Sequence, residues 1–204
     1  DKWWGTGFTE WTNVKKAMPK FTNHYQPHVP LDSLGYYNLS DVEVMRYQTK
    51  LAANHGIYGF SFYFYWFAGK RLLETPLLNY LKSNISFPFC LTWANENWSK
   101  RWDGMNNDLL ISQQHSDVDD VQFIEYLSKY IKDDRYIRIN GRPLILVYRP
   151  SLLPNAAMTA LRWRHYARNH GIGEIYLAYP QSFDKVDPKV YNFDAAIEFP
   201  PLNM

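Results

Sequence analysis

Residues 89–98 read FCLTWANENW, and they join a core strand to a polar, aromatic end. The first five residues are apolar, aromatic or β-branched, which is the pattern of a strand buried on both faces of a parallel sheet. The next five supply carboxamides, a carboxylate and an indole. Indole rings stack on the apolar face of a pyranose, and amides and carboxylates hydrogen-bond its hydroxyls. The stretch therefore predicts a core strand that ends in a sugar-binding surface.

The same arrangement is found along the rest of the chain, because apolar strands are repeatedly followed by large polar or aromatic side chains. Tyr65-Trp66, Tyr148-Arg149 and Glu198 each stand at or just after the end of such a run. Predicted helices separate most of the strands, and this alternation indicates a parallel sheet with right-handed crossovers. The predicted core strands are 57–64, 87–93, 144–148, 175–179 and 195–199.

Capping residues mark where the predicted helices begin. Residues 40–43 (SDVE) have the form of a capping box, in which the Ser40 hydroxyl would accept a hydrogen bond from the Glu43 N–H. This first helix is predicted to run to about Asn54. Further helix starts are predicted at 75–76, at Ser116 and at 154–155.

The helix that begins after Ser116 carries an Asp-x-Asp pair, Asp117 and Asp119. One class of nucleotide-sugar transferases holds a metal ion with such a pair, but in those enzymes the acids follow a strand. In the first turn of a helix, acids stabilise the helix dipole, and we interpret the pair as capping residues. The apolar face of this helix is predicted to comprise Val118, Val121, Ile124, Leu127 and Ile131.

Two architectures fit alternating strands and helices. In a doubly wound sheet the first loops are usually rich in glycine and bind phosphate, and no Gly-x-Gly-x-x-Gly string is present here. Large side chains at strand ends are instead typical of the active-site face of a barrel. We predict an α/β fold of the (β/α)8 TIM-barrel-like type, incomplete in this chain because only about five of eight strands are found. Residues 1–204 would form this single partial barrel domain, with 1–40 as an aromatic-rich structured loop region. Missing barrel segments or a partner chain would complete the fold.

The 204 residues include 8 Trp, 16 Tyr and 12 Phe, and the formal net charge is +2. Such an aromatic content is typical of a thick aromatic core or of a ring-stacking surface, and the balanced charge argues against nucleic acid as a partner.

Cys90 is the only cysteine, which excludes an internal disulfide and a cysteine metal cluster, and we expect no metal and no cofactor. No apolar run reaches the length of a membrane span and no signal peptide is visible, so we expect a cytoplasmic location.

Seven strings stand out by their length or aromatic content: 4–14 (WGTGFTEWTNV), 24–27 (HYQP), 34–38 (LGYYN), 65–74 (YWFAGKRLLE), 93–98 (WANENW), 101–104 (RWDG) and 199–201 (FPP). They resemble strings of the WbsX-type proteins, which are described as lipopolysaccharide-biosynthesis glycosyltransferases or as glycoside hydrolase family 99-like. The resemblance runs in order along essentially the whole chain. It implies a (β/α)8 barrel that acts on sugars. It also implies that the main catalytic carboxylates lie in a Glu-Trp-x-Glu string, which these residues do not contain.

Carboxylates at predicted strand ends are the candidates for catalysis within the chain. Glu96 and Glu198 are the strongest, because glycoside cleavage usually needs two carboxyl groups beside the bond. For Glu96 the alternative is a loop ion pair with Lys100 or Arg101. The predicted substrate-binding residues are Glu10, Trp11, His24, Gln26, Trp66, Trp93, Asn95, Glu96, Asn97, Trp98, Asp103, Tyr148, Arg149 and Glu198.

Two further groups of polar residues have more than one interpretation. Arg149, next to Tyr148, would contact an anionic sugar or a phosphate, or it would pair with a neighbouring acid. His24 and His28 are four residues apart, but Pro27 between them argues against a helical metal pair, and we interpret them as ordinary loop histidines.

Three functions remain open at this point. The first is a glycoside hydrolase family 99-like enzyme that acts on glycosidic bonds of a bacterial polysaccharide or similar glycan. The second is a glycosyltransferase in O-antigen or lipopolysaccharide biosynthesis. The third is a non-catalytic glycan-binding fragment that lacks the catalytic carboxylate pair. All three have an oligosaccharide or polysaccharide as the partner.

Overall fold

This computed structural model describes residues 5–24, 30–99 and 109–200. Its central sheet consists mainly of parallel strands that lie side by side in the order in which they occur in the chain. The strands are β1 (Phe60–Phe67), β2 (Lys70–Leu72), β3 (Phe89–Trp93), β4 (Trp98–Ser99), β5 (Leu109–Ile111), β6 (Arg138–Ile139), β7 (Arg142–Val147), β8 (Tyr176–Pro180) and β9 (Ala195–Ile197). The helices are α1 (Glu10–Lys16), α2 (Val42–Asn54), α3 (Thr75–Lys82), α4 (Asp117–Ile131) and α5 (Ala156–Asn169).

The main sheet has the strand order β2–β1–β3–β7–β8–β9, with β6 paired to β7. Strands β1, β3, β7, β8 and β9 are parallel, and each one lies beside the parallel strand that follows it in the chain. Strands β2 and β6 are antiparallel additions, and β4 and β5 form a separate antiparallel pair. The predicted α/β class with a parallel sheet is therefore confirmed for the part of the chain that the structure describes.

The first strand begins and ends three residues later than predicted. It pairs with β3 in a register that places Phe60 beside Phe89. Gly59 precedes it and packs so closely on β3 that an added Cβ would lie 2.6 Å from the Pro88 carbonyl oxygen. Residues 57–59 therefore lead into the sheet without joining it, and the strand extends to Phe67 instead.

The helix starts that were predicted agree with the structure except for the first residue of the capping box. Asp41, not Ser40, caps α2, because its carboxylate accepts the Glu43 N–H at 2.9 Å. Aspartate and serine are almost equally good caps, so sequence alone does not separate two neighbouring candidates. Ser116 caps α4 as predicted and accepts the Asp119 N–H at 3.0 Å.

The first two turns of α4 bury acids where valines were predicted. Val118 is 66% exposed and Val121 is also exposed, whereas Asp119 and Asp120 are buried. Asp120 accepts hydrogen bonds from the Thr159 hydroxyl at 2.9 Å and from Arg162 at 3.0 Å, and both residues belong to α5. A buried carboxylate is stable only with such partners, so the packing of α5 decides which face of α4 points inward.

Large aromatic rings fill the space between the sheet and α4 and α5. The ring centroids of Trp93 and Phe123 are 4.5 Å apart, and those of Phe123 and Trp163 are 4.8 Å apart. All three side chains are almost fully buried. Phe64 of β1 joins the same cluster through Phe123 and Tyr130, at 5.8 and 5.7 Å. This packing holds α4 and α5 against one face of the sheet.

The chain divides into two compact units, residues 1–39 and residues 40–204. The first unit contains α1, which the prediction of a loop over 1–40 missed. Its prolines, Pro19, Pro27 and Pro30, all follow the helix and so do not prevent it. Glu10 in the first turn and two lysines in the last turn stabilise the helix, because their charges interact favourably with its dipole.

Neither a membrane-spanning helix nor a metal-binding cluster is present in the described segments. None of the helices there combines the length and the apolar character that a membrane crossing requires. Within the same segments, no group of three or more His, Cys, Asp and Glu side chains is arranged to hold a metal ion. A cytoplasmic location stays a prediction.

One half-buried carboxylate ties the segment after the β1–β2 hairpin to α4. Glu74 accepts hydrogen bonds from the hydroxyls of Tyr126 and Tyr130, and ion pairs with Arg71 at 3.5 Å and Lys129 at 3.3 Å. Burial opposes its ionisation, but these hydroxyls and cations outweigh burial and hold the pKa of Glu74 below its ordinary value of 4.5. The charged form therefore stabilises the folded state.

We expect Glu74→Gln to lower the free energy of unfolding by about 2 kcal/mol at neutral pH, because hydrogen bonds to a charged group are lost. A lowered pKa means that Glu74 contributes its full stability above pH 4.5 and loses it as the pH falls further. The variant should therefore show a shallower loss of stability in acid, measured by urea denaturation across pH.

Glu43→Gln is the control for this experiment. Glu43 pairs with Arg46 at 3.2 Å on the surface of α2, and such exposed pairs contribute little. Equal effects of the two substitutions at neutral pH would contradict the role assigned to Glu74.

Candidate functional site

The carboxyl ends of the parallel strands meet at one edge of the sheet, here called the carboxyl edge. Pairing places the last residues of β3 and β7, Trp93 and Val147, side by side, and Ile197 of β9 lies beside Pro180 of β8. The segments that leave this edge are 94–97, 148–149, 181–184 and 198–199. Side chains from distant parts of the sequence therefore gather there, as expected for parallel strands.

Aromatic side chains form a continuous row along this edge. Ring centroids are 5.1 Å apart for Trp98 and Tyr65, 6.2 Å for Tyr65 and Tyr63, and 6.1 Å for Tyr63 and Tyr148. Tyr148 lies 5.9 Å from both Phe183 and Phe199. We call these six residues the aromatic row. Tyr63 and Phe183 are 49% and 53% exposed, so the row presents ring surface to solvent.

Asn95 joins the segments that follow β3 and β7. Its carboxamide donates to the Arg149 carbonyl oxygen at 2.8 Å and accepts the Arg149 N–H at 2.9 Å. The side chain is only 1% exposed. One amide side chain thus continues the strand pairing by one step and fixes the backbone of Arg149 relative to that of Asn95.

Glu96 and Arg149 form an ion pair in the middle of the carboxyl edge. Nη1 of Arg149 donates to Oε1 of Glu96 at 2.7 Å, and the guanidinium carbon lies 4.2 Å from the ring centroid of Phe183. Nε of Arg149 is buried and has no hydrogen-bond partner among the residues that the structure describes. Burial, Tyr148 and the charge of Glu96 together raise the pKa of Tyr63, which keeps this hydroxyl protonated.

Asn97 and Gln113 connect the residues that follow β3 with those that follow β5. The Asn97 side chain accepts the Gln113 N–H at 2.7 Å. The Gln113 side chain in turn lies 3.5 Å from the Glu96 carbonyl oxygen. These bonds shape the loop that carries Glu96 and Trp98, so Asn97 supports the edge through the backbone.

Trp66 and Trp93 lie behind the carboxyl edge, in the core. Their exposed fractions are 3% and 1%. The Trp66 indole N–H donates to Asp119 at 2.8 Å, and the Trp93 indole N–H points to the Trp66 carbonyl oxygen at 3.4 Å. Burial raises the pKa of Asp119. In this structure both indoles pack within the protein. They therefore have no exposed ring face that could contact a substrate, as had been predicted for them.

The predicted site residues therefore fall into several groups. Asn95, Glu96, Trp98, Tyr148 and Arg149 come together at the carboxyl edge. Glu198 follows β9 at the same edge and is exposed, with β7 and β8 between it and β3.

The remaining predictions concern other parts of the chain. Glu10, Trp11 and His24 belong to the first unit, where the Trp11 indole donates to the Tyr37 carbonyl oxygen at 3.0 Å. The His24 ring stacks on Phe21 at 4.5 Å in the same unit. Gln26 and Asp103 lie outside the described residues.

The predicted binding residues did not include Tyr63, Tyr65, Phe183 and Phe199, although Tyr65 was already placed at the end of a predicted strand. The signal for the two tyrosines was present, because phenylalanine alternates with serine or tyrosine over residues 60–65. Alternation with period two places the tyrosines on the face opposite to the phenylalanines. No comparable local pattern marks Phe183.

Comparison with known proteins agrees with this α/β architecture. A family model described as Glycosyltransferase WbsX matches residues 1–204. Two relatives described as Uncharacterized protein WxcX, from Xanthomonas campestris pv. campestris strains B100 and ATCC 33913, are 53% identical over 202 residues. Those matches cover 98% of this chain and 29% of each relative, so the chain spans less than a third of their length.

A solved structure described as a Glycoside hydrolase-like protein is similar to this chain with a TM-score of 0.63. The similarity covers 85% of this chain and 54% of that one, at 14% sequence identity. At this identity the likeness concerns the fold alone.

We expect Asn95→Ala to lower the free energy of unfolding by about 2 kcal/mol, because the Arg149 N–H and carbonyl both lose their partner. Asn97→Ala is the matched control. Its amide is exposed and accepts one backbone N–H, so the expected loss is below about 1 kcal/mol. Urea denaturation of both variants measures the difference, and equal losses would show that Asn95 does not hold the two segments together.

Proposed function

This chain belongs to the Glycosyltransferase WbsX family, and on that premise we propose that its carboxyl edge binds a glycan within a carbohydrate-active enzyme. The expected partner is an oligosaccharide or polysaccharide, such as a bacterial surface polymer. Because the chain covers 29% of its longer relatives, the activity proposed here is that of the whole protein.

The aromatic row is the observation that carries this proposal. Sugar rings have apolar C–H faces and a rim of hydroxyls, so proteins bind them with aromatic faces beside hydrogen-bonding groups. The row supplies partly exposed rings from Trp98 to Phe183, and Glu96 and Arg149 supply an acceptor and a donor at its centre. A hydrophobic core alone has no need of this combination at a solvent-facing edge.

We further propose that the parallel sheet is part of a (β/α)8 barrel. Two observations support this. Each parallel strand lies beside the next one in the chain, without the reversal of order that defines a doubly wound sheet. In addition, the side chains of the proposed binding site gather at the carboxyl edge, which is where barrel enzymes place their active sites.

Within this site, Glu96 and Glu198 have separate roles. The carboxylate of Glu96 is already held by Arg149 at 2.7 Å, whereas Glu198 is exposed just after β9. We therefore assign Glu96 to binding of sugar hydroxyls, and keep Glu198 as a candidate that acts with a carboxylate elsewhere in the longer protein.

Between the two chemistries, we propose hydrolysis and keep glycosyl transfer as the second candidate. The aromatic row and exposed carboxylates support a hydrolase, whereas the family description supports a transferase.

Incubating the whole protein with polysaccharides, without any nucleotide-sugar, tests this directly. Release of reducing sugar is expected for a hydrolase. Strict dependence on a nucleotide-sugar donor would establish the transferase, and glycan binding without either reaction would favour the non-catalytic alternative.

We expect Trp98→Ala to weaken glycan binding by roughly tenfold or more, because one stacking ring of the aromatic row is removed. Tyr47→Ala is the matched control, since Tyr47 is an exposed aromatic residue on α2, away from the carboxyl edge. Isothermal titration calorimetry with the glycan that the protein binds best gives both affinities. Unchanged binding by the Trp98 variant would remove the row from the binding surface.

A further inference from the structure

Asp184 lies in the segment that leaves β8 at the carboxyl edge, residues 181–187. A backbone bond holds the start of this segment, because the Gln181 N–H donates to the Ile197 carbonyl oxygen at 2.9 Å. Three residues further along, a side chain makes the connection instead. The Asp184 carboxylate reaches across to the segment that leaves β7.

The partner of Asp184 is a single serine, which it binds through both carboxylate oxygens. Ser151 donates its N–H to Oδ2 at 3.0 Å and its hydroxyl to Oδ1 at 2.7 Å. Ser151 follows Arg149 by two residues and belongs to a short 3-10 helix, Pro150–Leu152. Hydrogen bonds to an ionised acceptor are stronger than those between neutral groups. Asp184 thus joins the segments after β7 and β8, as Asn95 joins those after β3 and β7.

Phe183, the neighbour of Asp184, is the most exposed ring of the aromatic row. Its exposed fraction is 53%, against 49% for Tyr63, and the other four rings are half-buried. The guanidinium carbon of Arg149 lies 4.2 Å from the Phe183 ring centroid, and Tyr148 meets the ring edge to face at 5.9 Å. Part of the ring therefore rests on the segment after β7, and the rest of it faces solvent.

The two kinds of contact differ in how firmly they hold this ring. Ring contacts tolerate a range of distances and angles, and Phe183 has no polar atom of its own. Two hydrogen bonds from one serine to one carboxylate specify both distance and direction. Ordering a mobile side chain when a ligand binds costs free energy, so a ring that is already held in place binds a sugar more tightly.

We infer that Asp184 is a positioning residue of the glycan site, and that it acts through Phe183 by tying the segment after β8 to the segment after β7. Phe183 stacks on the sugar, and Asp184 holds the ring in place without touching the ligand. The inference rests on the proposed function, because it names a further residue on which binding at the same site depends.

A double-mutant cycle tests this assignment. Glycan affinities of the whole protein are measured by isothermal titration calorimetry for Phe183→Ala, for Asp184→Ala and for the double variant, with the glycan that the unmodified protein binds best. We expect each single substitution to weaken binding by roughly tenfold, because the stacking ring is lost or displaced. The double variant should bind about as weakly as Phe183→Ala alone, since Asp184 then has no ring to position.

Asp187→Ala is the matched control. Asp187 belongs to the same segment and also accepts a backbone N–H, that of Lys189 at 2.9 Å. Its loss should change glycan affinity by less than about twofold, because it does not act on Phe183. A loss as large as that of Asp184→Ala would show that binding depends on the general stability of the segment, and would overturn the inference.

Asp184→Asn is the conservative variant. Its amide oxygen can accept the Ser151 N–H and its amide nitrogen can donate to the Ser151 hydroxyl, so most of the affinity should return. Near-ultraviolet circular dichroism checks that each variant is folded. If Asp184→Ala does not fold, Ser151→Ala takes its place in the cycle, because it removes the 2.7 Å bond from the opposite side.

The outcomes separate this inference from the proposed function. Additive losses in the cycle, or unchanged binding by a folded Phe183→Ala or Asp184→Ala variant, would overturn the inference and leave glycan binding intact. Absence of glycan binding by the unmodified whole protein would instead refute the proposed function, and this inference with it.

Discussion

The contact between the Asn95 carboxamide and the backbone of Arg149 holds the carboxyl edge together. Parallel strands pair through their backbones only as far as their last residues, and beyond that point each segment is free to diverge. Asn95 extends the pairing of β3 and β7 with two bonds of 2.8 and 2.9 Å from a side chain that water does not reach. Glu96 and Arg149 can meet at 2.7 Å because the residues that carry them are already aligned.

The edge is also supported from behind by buried polar groups on α4. Asp119 accepts the indole N–H of Trp66, and the main chain of Asp120 accepts that of Trp163. An indole ring in a core needs an acceptor for its N–H, and a buried carboxylate needs a donor, so each group satisfies the other. The position of α4 therefore determines the end of β1, from which Tyr65 and Phe67 contact Trp98.

The sequence allowed the parallel sheet, most helix starts and the five residues at the carboxyl edge to be predicted, because these depend on local patterns. Capping at Ser116 is visible within four residues of chain. The partners of Glu96, Asp119 and Asp120 were not predictable in the same way. Arg149 is 53 residues from Glu96, and Trp66 is 53 residues from Asp119. Lys100 or Arg101 was the alternative partner for Glu96 because only neighbours in sequence can be weighed without a fold, and both lie outside the described residues.

The aromatic residues of β1 serve the two faces of that strand differently. Phe62 and Phe64 of β1 turn toward the helices, where Phe64 meets Phe123 edge to face at 5.8 Å. Tyr63 and Tyr65 turn the other way and begin the aromatic row. Phenylalanine has no polar atom and fits a dry interior, whereas a tyrosine hydroxyl needs a partner such as water or a ligand. The choice between these two residue types at alternate positions thus divides one aromatic strand into a core face and a face that carries the aromatic row.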